Sequence, residues 1–125
     1  MGNGMSSIRY INFEFVQRIQ TTGVLINTLS ATDQSCLIVG TIPANEEETK
    51  INEFVCTNKK IDIVVYGKNS TDMTPINKAT QLRTLGFTNV SVYIGGLFEW
   101  LLLQDIYGKT EFKTTSNVLD ILKYK

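Results

Sequence analysis

A three-layer α/β fold, with a mostly parallel central sheet of about five strands and helices on both faces, is what the patterning of this chain predicts. Three observations lead there. Short apolar runs rich in β-branched residues alternate with segments of helical periodicity. Those runs are short and predominantly apolar, as buried parallel strands should be. At 125 residues the chain has room for one core and not for two.

The elements follow in order. Residues 1–6 read as a flexible N-terminus and residues 7–125 as a single domain. Ser7 to Ile11 is a candidate edge strand. Asn12 can cap a first helix through Phe13, Val16 and Ile19. Val24 to Ile26, Cys36 to Val39, Ile61 to Tyr66 and Val90 to Ile94 are the strand candidates. Between them, Asn45 with Glu48 makes a capping-box-like helix start, followed by the stripe Ile51, Phe54 and Val55. Thr74-Pro75 forms an N-cap and N1 pair for a helix carrying Ile76, Ala79 and Leu82 and stopping at Gly86. Gly95-Gly96 opens a nearly all-apolar helix, Leu97 to Ile106, closed by Gly108. Thr115 is the expected cap of a last short helix with Val118, Leu119 and Leu122.

Composition excludes several chemistries. Twelve Lys+Arg balance twelve Asp+Glu, so no global field draws in nucleic acid. Histidine is absent, which removes Ser-His-Asp triads, Cys-His pairs and imidazole metal ligands. Cys36 and Cys56 are too few for structural zinc, so neither a metal nor a cofactor is expected. Without a secretory signal both cysteines are expected to stay reduced in the cytoplasm. Both read as packing thiols: Cys36 within an apolar run, and Cys56 at a helix C-terminus, which does not favour a thiolate. No apolar run spans a membrane; the longest, Trp100 to Leu103, stops at Gln104 and reads as a buried helix face. The start, Met1-Gly2-Asn3-Gly4-Met5-Ser6, fits an N-myristoylation pattern, although a plain floppy start is the more economical reading.

In a parallel sheet the strand-to-helix loops gather at the carboxyl edge, where such folds bind ligands. One loop stands out there: Gly67-Lys68-Asn69-Ser70-Thr71-Asp72-Met73, between the strand ending at Tyr66 and the Pro75 helix. Its hydroxyls, amide and lysine suit a small anion; the plainer alternative is a polar connection.

Four segments carry a resemblance to the rhodanese family, across roughly Tyr10 to Gly108. VLINTL (Val24 to Leu29) stands where that family has its LIDVR-type strand. CLIVGTI (Cys36 to Ile42) resembles its GHIPGA segment. IDIVVYG (Ile61 to Gly67) resembles the strand that leads to its catalytic cysteine. LGFTNVSVYIGGLFEW (Leu85 to Trp100) resembles the closing signature and is the most specific match. GGLFEWLLLQDIYG is also similar to a divergent rhodanese-like subgroup of protists and large DNA viruses.

The resemblance implies a sulfurtransferase whose loop cysteine carries a persulfide in a nest of N–H groups, assisted by a later arginine. Here Gly67 follows the strand, Asp72 falls near the arginine position, and no residue from Gly67 to Met73 is cysteine. Ser70 is the nearest isostere, but a hydroxyl cannot carry a persulfide. Asn27 and Leu29 stand where the family's strand has an ion-pairing aspartate and arginine. The expectation is therefore a non-catalytic module that binds a small anion (a sulfur oxyanion or persulfide-like group) or a protein partner. The rival is an active sulfurtransferase, using Cys36 or Cys56, or with Ser70 standing in for a native cysteine. A phosphatase of the same fold needs the same absent cysteine and arginine. On this reading a thiol installed at Ser70 or Gly67 should regain some activity, more so with Asp72→Arg.

Overall fold

The computed structural model describes residues 8–125; the expected flexible start, the Gly2 acylation pattern and Ser7 lie outside them. Four strands, all parallel, make one sheet: β1 (Arg9–Ile11), β2 (Val24–Asn27), β3 (Ile63–Tyr66) and β4 (Val90–Tyr93), in the order β1-β4-β3-β2. Four α-helices connect and follow them: α1 (Phe13–Ile19), α2 (Ala44–Thr57), α3 (Thr74–Thr84) and α4 (Gly96–Tyr107). No helix of the described residues is long and apolar enough to cross a membrane.

Strand alternation divides the core in two. Leu25, Val64, Tyr66 and Tyr93 face one layer, packing with Val16 of α1 and Leu97, Trp100 and Leu101 of α4. Val24, Ile26, Ile63, Val65, Val90 and Val92 face the other, against Ile51 of α2 and Ala79 and Leu82 of α3. Every residue of β2, β3 and β4 is buried, which is why the runs are mostly apolar on both faces, Asn27 and Ser91 being the polar residues among them. Trp100 is fully buried, edge-on to Tyr93 and Phe112, with its indole N–H donating to the Lys113 carbonyl at 3.2 Å. An anchor of this size contributes about 3–5 kcal/mol against truncation to alanine.

The expected caps partly hold. Asn12 Oδ1 accepts from the N–H groups of Glu14 and Phe15 and so opens α1. The Asn45–Glu48 box does not form: α2 starts at Ala44 after Pro43, whose fixed φ sets the helix entry. Thr74 lies inside α3 rather than capping it, and the capping oxygen comes from Asp72.

The sheet has four strands where about five were expected, because Cys36–Val39 is not a strand. Cys36, Leu37 and Ile38 are buried, so the run is apolar for burial and not for pairing. Ile38 makes a single antiparallel bridge to Thr114, and Thr41 makes the parallel bridge to Leu25. Backbone bonds from the Val39 N–H to the Lys113 carbonyl and from the Thr115 N–H to the Leu37 carbonyl hold the segment, together with a side chain: the Ile38 N–H donates to the Tyr66 hydroxyl at 3.1 Å. That hydroxyl in turn bonds the Thr41 hydroxyl at 2.7 Å. The last helix is also shorter than expected. Only a 3₁₀ turn at Ile121–Tyr124 forms, the Thr115 hydroxyl is used by the Leu37 N–H, and Tyr124 is the residue buried, while Leu119 is fully exposed.

Replacing Tyr66 by phenylalanine keeps the ring and leaves the buried Ile38 N–H unpaired. The expected loss is about 1–3 kcal/mol in a denaturant titration; a change within about 0.5 kcal/mol would show that the hydroxyl does not hold the segment.

Candidate functional site

Because every strand is parallel, β2, β3 and β4 deliver their following loops to one edge. The edge is tied together there: the Thr74 hydroxyl, at the head of α3, lies 2.8 Å from the Thr28 hydroxyl just beyond β2. The loop from Gly67 to Met73 sits at this edge, as expected, between β3 and α3.

Its carbonyls are taken by α4. The amides of Leu97 and Phe98, which have no partner inside their own helix, donate to the Gly67 and Lys68 carbonyls, both at 2.9 Å. Gly96 allows this approach. Its φ is +67°, and a Cβ there would meet the Gly67 oxygen at 2.8 Å and the Asn69 nitrogen at 2.9 Å.

Several of its amides have acceptors within the loop. Asp72 Oδ2 accepts from the Lys68 N–H at 3.0 Å. Asp72 Oδ1 accepts from the Thr74 N–H at 3.0 Å and from the Thr74 hydroxyl at 2.7 Å. Asn69 Oδ1 accepts from the Thr71 N–H at 3.0 Å and hydroxyl at 2.8 Å, and the Asn69 carbonyl accepts from the Asp72 N–H at 3.2 Å. The Asn69 amide donates to the Tyr124 carbonyl at 3.0 Å, pinning the loop to the C-terminal turn. Ser70 and Met73 are exposed, Lys68 is half-buried and Gly67 is buried.

Burial alone would raise the Asp72 carboxyl pKa. The donors from Lys68 and Thr74 and the Lys68 charge outweigh it and hold the pKa below the ordinary value. A second carboxylate lies on the first turn of α4: Glu99 accepts at 2.6 Å from the hydroxyl of Tyr93, the last residue of β4. Burial, then that bond and charge, push the Tyr93 phenol far above its usual range.

Neither cysteine joins the loop. Cys36 is 1% exposed and its thiol contacts the Ser116 carbonyl at 3.5 Å. Cys56 is exposed on α2, in the layer across the sheet from Cys36. The place of the family's aspartate is filled by an amide pair: Asn27 and Gln34 exchange hydrogen bonds at 3.2 and 2.7 Å. Sequence reasoning missed Gln34 and the Asn69–Tyr124 link, which join residues far apart in the chain or in unrelated segments. The Asp72 cap was legible in principle, since Asp two residues before a Thr-Pro helix start is a capping signal. Position 67 also differs from expectation. A side chain there would run into the Asp72 carboxylate and meet Pro75 Cδ at 3.0 Å, so a cysteine does not simply fit.

A carboxyl with a depressed folded pKa adds stability that is complete above its unfolded pKa and is lost as pH falls through the folded value. With its folded value below 3.8, Asp72 should steepen acid destabilisation from about pH 4 downward. Asp72→Asn should therefore lower stability near neutrality and flatten the acid limb. Parallel pH–stability curves for the two proteins would contradict this assignment.

Comparison with known proteins agrees with this architecture. The chain aligns over 90% of its length with 86% of the Alr3790 protein from Anabaena sp., at 19% identity and a TM-score of 0.59. It aligns over 80% with 74% of the BH2092 protein from Bacillus halodurans, at 21% identity and a TM-score of 0.59. A complex of an EanB variant with hercynine matches 71% of this chain, at 21% identity and a TM-score of 0.53, but only 24% of that longer protein. No curated protein matches the chain. These similarities concern the fold. The family model for the rhodanese-like domain matches residues 25–103, well over half of the sequence, and the chain therefore belongs to the rhodanese-like domain family.

Proposed function

We propose that this rhodanese-like chain is a non-catalytic module that acts by binding, and that a protein partner suits it better than a small anion. The observation that carries the proposal is the buried glycine, Gly67, at the point where β3 leaves the sheet, followed by a loop without a thiol. Sulfur transfer needs a thiolate at a place where donors stabilise it. Here one thiol is buried against Ser116 and the other lies on α2. The preference for a protein partner rests on the amides: those of Lys68, Thr71, Asp72 and Thr74 already have intramolecular acceptors. Asp72 and Glu99 add negative charge that disfavours a sulfur oxyanion.

The same reading treats residues 7–125 as one domain in the cytoplasm. It groups the chain with the divergent protist and large-virus forms on the segment from Gly95 to Gly108. An acyl chain at Gly2 would give only weak, reversible membrane attachment.

The test is thiocyanate formation from thiosulfate and cyanide. The unmodified protein should show no turnover above the buffer rate. Turnover that Cys36→Ser or Cys56→Ser abolishes would overturn the proposal and make that cysteine the nucleophile.

A further inference from the structure

We infer that Asp72 closes position 67: its carboxylate fills the space that a side chain at that position needs, so a nucleophilic side chain does not fit there for as long as Asp72 is present. The inference rests on the reading of Gly67 as the position where a transferase of this family carries its thiol. It makes residues 67 and 72 a coupled pair rather than two independent departures from the family pattern.

Three features carry it. A Cβ on Gly67 is directed into Asp72 Oδ2, with Asp72 Cγ at 3.0 Å. On its other flank is Pro75, a buried ring in the first turn of α3 that has no freedom to withdraw. Asp72 has no inexpensive way to move aside either. Its two oxygens hold the Lys68 N–H on one side and the Thr74 N–H and hydroxyl on the other. Swinging the carboxylate out would take the acceptor from the Lys68 and Thr74 N–H groups, leaving the Thr74 hydroxyl its Thr28 partner. Relief must therefore come at residue 72, and a thiol at 67 with Asp72 in place faces both a clash and a fixed negative charge. The charge also opposes the thiolate itself. Ser70 lacks this constraint, being exposed at the tip of the loop.

The experiment is a double-mutant cycle in a Cys56→Ser background, which removes the exposed thiol. Thermal midpoints are measured for the parent, Asp72→Ala, Gly67→Cys and the double variant. Asp72→Ala should lower the midpoint of the parent, because it removes three accepted hydrogen bonds. The same substitution should raise the midpoint of Gly67→Cys. Iodoacetamide should alkylate the introduced thiol about tenfold faster once Asp72 is gone, as expected for removal of an adjacent like charge. If Gly67→Cys does not fold, Gly67→Ala supplies the smallest side chain for the same cycle, and recovery of folding by Asp72→Ala supports the inference. An Asp72→Ala effect of the same sign and size in both backgrounds, or no recovery of folding, overturns it. The function reading fails separately, through turnover by the unmodified protein.

Discussion

Two amides at the head of α4, those of Leu97 and Phe98, donate to the carbonyls of Gly67 and Lys68, and much of this protein's layout depends on that docking. It fixes the chain as it leaves β3, one of the two inner strands of the sheet. It requires glycine at position 96, where a Cβ would meet the loop backbone. It also spends the first free N–H groups of α4 on the protein itself. Helix N-termini are common anion sites because those groups lack partners. In this molecule their partners are two loop carbonyls.

The loop is satisfied in a similar way from its other side. Asn69 and Asp72 supply acceptors for the amides of Thr71, Lys68 and Thr74, and Asn69 carries the network on to the Tyr124 carbonyl. In an enzyme of this family those donors would serve a sulfur anion. Here a carboxylate of the chain has taken over part of that work. The arrangement orders the loop through its own side chains.

The layer structure was legible in the sequence because burial on two faces leaves an unambiguous mark. The runs at Val24–Asn27, Ile63–Tyr66 and Val90–Tyr93 are apolar but for Asn27 and Ser91, and all three are strands. The same mark misled at Cys36–Val39, where Cys36, Leu37 and Ile38 are buried but the backbone is held by the Tyr66 hydroxyl and by residues 113–115 rather than by the sheet. Apolar composition reports burial, and pairing depends on partners that composition does not name. The loop's lack of a thiol was plain from its residues. That Asp72 lies where a side chain at position 67 would go was not, since it depends on the position of one carboxylate relative to Gly67 and Pro75. Sequence distance placed Asp72 near a missing arginine; geometry places it against the missing side chain.

The central claim is that this rhodanese-like fold carries no sulfur. Intact-mass measurement of the unmodified protein after exposure to thiosulfate and removal of the excess tests it most directly. The account predicts an unchanged mass. A gain of one sulfur atom, removed by cyanide or a reductant and mapped to Cys36 or Cys56, would contradict it.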